Sequence, residues 1–283
     1  MREASLALRR RFQLPRSTNF TLTLGGIILA VYVLMAVFGR FIAPYGIDDQ
    51  DLLSSLAPPS AEHWFGTDAL GRDIFSRVIV GAYYTLSAAM VSVALASIAG
   101  VIIGILSGYG RGLLATALAA LIDLLLTIPS LVLAVVITSV INSSVVGLIV
   151  ATTITFIAPM ARLVRSRTLE IQQEDYVQAA RGLGAGNPRI MLRHVLPNAM
   201  TVILVEASLA AGQAVLVATA LGFLGLGVPP PAPEWGTMLG EGREYLGSAP
   251  HLVLCPALAI SILILGFNLF GDGLRDRLDT RSE

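Results

Sequence analysis

Few side chains in this sequence have the type and spacing to do chemistry, and what is missing excludes most reactions. All 19 basic residues are arginine. A Walker A loop needs its lysine on the nucleotide phosphates, so any ATP that drives this protein must be held by another subunit. The one cysteine, Cys255, lies in an apolar run and allows neither an internal disulfide nor a thiolate metal cluster. No H-E-x-x-H or G-x-S-x-G pattern is present, which argues against an intramembrane enzyme. His63, His194 and His251 do not form a ligand set, and no metal site is expected. Two carboxylates, Asp123 and Glu206, fall inside apolar runs, where ionisable groups are costly and often functional. The simplest reading of Asp123 is a polar group hydrogen-bonded between helices.

The elements that carry these residues are membrane spans. Hydrophobic residues make up 55% of the 283 and charged residues 13%, about half the share of a soluble domain. The formal net charge is zero, so no basic signature for nucleic acid exists. A crossing helix needs about 20 apolar residues. Six runs qualify: Phe20–Phe38, Val78–Ser107, Leu113–Ile141, Val145–Leu163, Ala199–Val228 and His251–Phe270. The first is too long for a signal-peptide core and lacks a small-x-small cleavage site, so it reads as an anchor. Pro129 is expected to kink the third span and Pro159 the fourth.

Arginine placement sets the orientation. With the N-terminus inside, Arg40, Arg72, Arg77 and Arg243 are outside and the other fifteen inside. The expectation is an all-α, six-span protein with both termini cytoplasmic. Residues 1–19 form an inner N-terminal segment, 20–40 the first span and 41–77 an outer segment. Residues 78–271 form the five-span core, with an inner loop at 165–198, and 272–283 a tail. Trp64 and Trp235 read as interfacial belt residues, and Thr237–Tyr245 as a short outer helix.

The inner loop is the most informative stretch. Asp175 suits an N-cap, and Tyr176, Ala180 and Leu183 then fall on one face, with Gln178 and Arg181 pointing away. Gly182, Gly184 and Gly186 stop that helix. Asn187 as N-cap and Pro188 in the first turn start a second one, which runs to about Val195 and is broken by Pro197. Helices this short are marginal alone, so they must pack on the bundle, on a partner, or on both.

These residues resemble a known pattern. Gln178–Ala179–Ala180, three residues, Gly184, nine residues and His194–Val195–Leu196–Pro197 is similar to the EAA loop of ATP-binding-cassette importer permeases. His63–Asp73 (HWFGTDALGRD) resembles the outer signature of the C-type subunit of dipeptide, oligopeptide and nickel permeases. Phe223–Val228 with Trp235–Gly236 and Met238–Leu239 resembles its later signature. Tyr83–Tyr84 depart from it, standing where the family usually has an arginine.

The resemblance implies a type I ABC importer permease fold in the bacterial cytoplasmic membrane. It implies four partners: a homologous B-type permease subunit, two ATPases that bind ATP and Mg²⁺, and an extracytoplasmic solute-binding protein. No cofactor would sit on this chain. The stretch Asp175, Tyr176, Val177, Gln178, Ala179, Ala180, Arg181, Gly182, Leu183 and Gly184 would be the coupling helix, with Tyr176, Val177 and Leu183 anchoring its exposed face. Glu206, Gln213 and Asp123 would be candidates for lining the pathway, since the fifth span lines it in this family. Peptide is the expected substrate, with nickel or another small solute as the alternative. A self-sufficient secondary transporter is the rival of a different class.

Overall fold

The computed structural model describes residues 18–141 and 144–279. The arginines at 2, 9, 10, 11, 16 and 281 therefore lie outside the described residues. Among the described residues regular structure is helical, apart from one isolated bridge between Thr67 and Asp73. The helices are α1 (Thr18–Ile42), α2 (Ile74–Tyr109), α3 (Leu113–Thr127), α4 (Ser130–Ile141), α5 (Val145–Ile171), α6 (Asp175–Gly182), α7 (Asn187–Phe223), α8 (Trp235–Gly242) and α9 (His251–Asp279). Five of them, α1, α2, α5, α7 and α9, are long and apolar enough to cross a membrane.

The sixth expected span is not straight. α3 and α4 meet at 97°, and count as one crossing only as a bent pair. Pro129 causes the break. It brings no N–H for the carbonyl four residues back, and it pushes the residue before it out of the helical region. Ile128 is accordingly extended, at φ −89° and ψ 126°. Pro159, by contrast, is taken up inside an uninterrupted α5. α9 continues through the expected tail as far as Asp279.

α2 is the spine. Its 36 residues reach about 54 Å at 1.5 Å per residue. Asp73 caps its start, the carboxylate accepting the Ser76 amide at 2.7 Å. Gly100, Gly104 and Gly108 form a stripe four residues apart that lies flat on α5. A Cβ at these positions would stand 2.7 Å from Met160 Cβ, 2.7 Å from the Ala161 carbonyl and 2.9 Å from Thr168 Cβ. Small residues at this spacing let two backbones approach closely where lipid supplies no hydrophobic drive.

Two buried clusters result. The larger joins α1, α2, α5, α7, α8 and α9 around Trp235, Leu221 and Leu263. The smaller sits at the far end of α2 and gathers Tyr109, Val164, Ile171, Val177, Ile190 and Val195. Trp235 is not a belt residue: it is fully buried. Its indole N–H donates to the Val78 carbonyl at 3.0 Å, and its ring meets Tyr32 edge-on at 5.8 Å. Trp64 remains largely exposed. The stretch 237–245 is helical as expected, within α8 and the 3₁₀ turn Arg243–Tyr245 that follows it.

Candidate functional site

At the far end of α2, the loop between α5 and α7 forms a small folded unit. Glu174, not Asp175, precedes the first helical residue of α6, and no side chain caps it. Gly186 likewise takes the cap position expected for Asn187. Val177 does not face outward with Tyr176 and Leu183. Its side chain is fully buried against Ile171, Ile190 and Val195. The exposed edge of α6 is left with Tyr176 and with Leu183, which is 90% exposed, while Ala180 is half-buried.

α6 ends in a Schellman arrangement. Ala185 N–H donates to Ala180 O and Gly184 N–H to Arg181 O, both at 3.0 Å. Gly184 takes φ +85° there, a value that strains any residue with a Cβ. Gln178 points away as expected, donating to the Gln172 carbonyl at 2.7 Å. Arg181 does not. It turns back onto the last residue of α2, its guanidinium carbon 5.7 Å from the Tyr109 ring centre and its Nη2 3.3 Å from the Tyr109 hydroxyl. That hydroxyl donates to Asn187 Oδ1 at 3.1 Å, and Gln172 donates to the Gly108 carbonyl at 2.8 Å.

Pro197 does not break the second helix. Instead, Met191–Val195 widens into a π turn and α7 runs on. The Leu196 N–H reaches back five residues to Met191 O. Pro197 has no N–H to offer Arg193, and the wider turn makes room for its ring. Asn198 Nδ2 donates to His194 O at 2.6 Å. The loop helix and the span are thus one rod, which the sequence concealed because proline usually stops a helix.

The three pathway candidates do not converge. Glu206 lies on α7 in a cavity of about 290 Å³ whose wall also carries Leu163 and Arg275. Gln213 is exposed, two turns further along α7. Asp123 is exposed on α3, and the interhelical bond expected for it is not formed among the described residues.

At the other end of α2 the signature 63–73 folds tightly around Asp68. One Asp68 oxygen accepts the Leu70 and Arg72 amides at 2.8 and 3.0 Å, and the other accepts Arg72 Nε at 2.6 Å. Gly71 holds φ +73°, with a Cβ position that the Asp51 carbonyl already fills. Arg77, 1% exposed, donates to the Ile47 carbonyl at 3.1 Å and stands 3.7 Å from Asp68 and 3.8 Å from Glu241. Arg72 also reaches Glu241, at 3.4 Å. These ions tie segment 43–73 to α8.

His63 packs within this signature, its Nδ1 2.9 Å from Asp73 and its ring against Tyr45. Glu234, fully buried, caps α8 by accepting the Gly236 and Thr237 amides at 2.9 and 2.8 Å. Burial raises its pKa, and those hydrogen bonds oppose the rise. Sequence reasoning passed over Glu234 and counted Arg77 only as an outer arginine. A carboxylate at a helix start was the available signal for Glu234; burial of Arg77 depends on contacts far apart in the chain.

The all-helical architecture, with its long apolar helices, is similar to that of known transport proteins. The chain belongs to the family of binding-protein-dependent transport system inner membrane components, whose profile matches residues 100–283. Residues 20–59 match the N-terminal TM domain of oligopeptide transport permease C. Among its relatives is the dipeptide transport system permease protein DppC of Alkalihalophilus pseudofirmus, 40% identical over 91% of this chain and 84% of that protein. Another is the glutathione transport system permease protein GsiD of Escherichia coli, 41% identical over 96% of this chain and 89% of that one. In fold, the chain is similar to the inward-facing MetNI methionine ABC transporter, with a TM-score of 0.58 and 23% identity. That match covers 70% of this chain and 94% of the other.

Proposed function

We propose that this chain is a non-catalytic translocation subunit of an ATP-driven peptide importer, and that α6 is where the drive is received. The observation that carries this is α6 itself: a short helix with an exposed apolar edge, Tyr176 and Leu183, held rigidly at the end of the spans. A nucleotide-binding lysine is absent from the chain, so the push comes from two separate ATPases that bind ATP and Mg²⁺ and receive Asp175–Gly184 in a groove. A homologous permease subunit completes the membrane unit, and a solute-binding protein delivers cargo to the Asp68–Glu241 platform. Both termini and the α6 loop face the cytoplasm of a bacterium, in keeping with the arginine distribution.

Peptide is the substrate class, because one relative's system is named for dipeptides and the other's for glutathione, itself a short peptide. Glu206, Gln213 and Asp123 line the pathway once the second permease subunit is in place, and a carboxylate there meets the peptide's ammonium group. Rigid-body rocking of the spans then alternates access.

The test is a charge on the α6 edge. Leu183→Asp and Ala180→Glu should leave the protein inserted and folded but abolish uptake and uptake-linked ATP hydrolysis in the assembled complex. Wild-type uptake by a stably assembled Leu183→Asp complex would remove α6 as the docking surface.

A further inference from the structure

We infer that Tyr109 is a positioning residue that makes the α6 loop and the spine helix α2 one rigid transmission unit, so that displacement of α6 moves α2 without a hinge. This rests on the reading of α6 as the coupling helix and adds the route by which its movement enters the membrane.

Tyr109 is the last residue of α2 and is buried. Its hydroxyl is used from two sides: it donates to Asn187 Oδ1 at 3.1 Å, on the first turn of α7, and accepts from Arg181 Nη2 at 3.3 Å, on the last turn of α6. Its ring carries the Arg181 guanidinium at 5.7 Å. One side chain therefore binds the end of α6, the start of α7 and the end of α2. Gln172, donating to the Gly108 carbonyl at 2.8 Å, adds α5 beside it.

Beneath this polar knot Val177, Ile190 and Val195 are fully buried in the same cluster as Tyr109. That cluster is separate from the larger one in the spans. A two-turn helix has little stability of its own. Locked by packing and by a shared hydroxyl, it behaves as an extension of α2. The glycine stripe then carries the motion sideways, because Gly104 and Gly108 lie against the α5 backbone with no side chain to yield. A push on the exposed edge of α6 therefore reaches α2 and α5 together.

The experiment uses the complete complex with its ATPases and binding protein, in proteoliposomes. Tyr109→Phe keeps the ring, the packing and the cation contact and removes both hydrogen bonds. We expect the ATPases to co-purify in normal amounts while peptide transported per ATP falls about 25-fold, the worth of two net hydrogen bonds. Asn187→Leu should lower the ratio likewise, whereas Asn187→Asp, which keeps an acceptor, should restore it. An unchanged ratio in Tyr109→Phe overturns the inference; if that variant does not assemble, the two Asn187 variants decide in the same way.

A cross-link adds a readout of opposite sign. With Cys255 replaced by alanine, Leu106→Cys and Met191→Cys place thiols on the wall of one cavity beside Tyr109. Joining them with a short, reducible bifunctional reagent should leave transport intact, because the two elements move together. Transport that stops on cross-linking and returns on reduction would show that they must separate. That result would leave docking at α6, tested by Leu183→Asp, untouched.

Discussion

At the scale of single residues, Arg77 and Glu234 are the ionisable groups buried most deeply among the described residues. Arg77 sits 1% exposed between Asp68, Glu241 and the Ile47 carbonyl. Removing one partner of a buried ion group leaves the others uncompensated, at about 3 kcal/mol. Arg77→Met should therefore lower the stability of the detergent-purified protein by about that much, read as the midpoint of chemical unfolding; a change below a third of it would mean the network is solvated. Glu234 adds a pH dependence. Burial favours its neutral form and raises its pKa in the folded state, so its contribution to stability is greatest below the ordinary carboxylate range. It is lost as pH rises through the raised value. Glu234→Gln lacks this titration. The melting temperature of the wild type should therefore fall relative to that of the glutamine variant as pH is raised from acid to neutral. A gap that stays constant with pH would show that Glu234 does not titrate between the two conditions.

At the scale of elements, the turn chemistry gives a sharp expectation for Gly184. Nothing lies within 4 Å of a Cβ built there, so a side chain meets no clash and only the φ of +85° resists it. Gly184→Ala should cost about 1 kcal/mol, the usual penalty for a left-handed alanine, and confine the damage to α6. Hydrogen exchange should quicken over 175–186 and stay unchanged in α2 and α5; faster exchange throughout would mean the loop unit supports the whole bundle. This end of the molecule was the most legible in sequence. Asp175, the glycines at 182, 184 and 186, and the Asn187–Pro188 pair located α6 and the start of α7 to within a residue. What the sequence hid was orientation about the helix axis. A two-turn helix has too few apolar positions for its pattern to say that Val177 turns inward and Arg181 folds back on Tyr109. The π turn was hidden for a different reason. Pro197 reads as a stop unless the turn before it is wider than usual, and no residue type announces that. Similarly, Pro129 announced a kink but not a break of 97°.

At the scale of the whole molecule, the chain is well packed within and leaves one face unsatisfied. Its two buried clusters account for the inward faces of α1, α2, α5, α7 and α9, yet Asp123 stands exposed on α3 with no bond among the described residues. A carboxylate left facing lipid costs about 2.5–3.5 kcal/mol. The broken α3–α4 pair adds backbone carbonyls that lose their helical donors at the bend, and lipid cannot satisfy those. That face must therefore be covered by protein or water, a role that falls to the second permease subunit on the function proposed above. On the proposed function, the chain alone does not complete a pathway. Reconstituted by itself in proteoliposomes, with peptide outside and a proton or sodium gradient across the membrane, it should give no uptake above protein-free vesicles. Adding the second permease subunit, both ATPases, the binding protein and internal ATP should restore uptake. Gradient-driven uptake by the single chain would instead reinstate a self-sufficient transporter, with Asp123 and Glu206 as its coupling carboxylates.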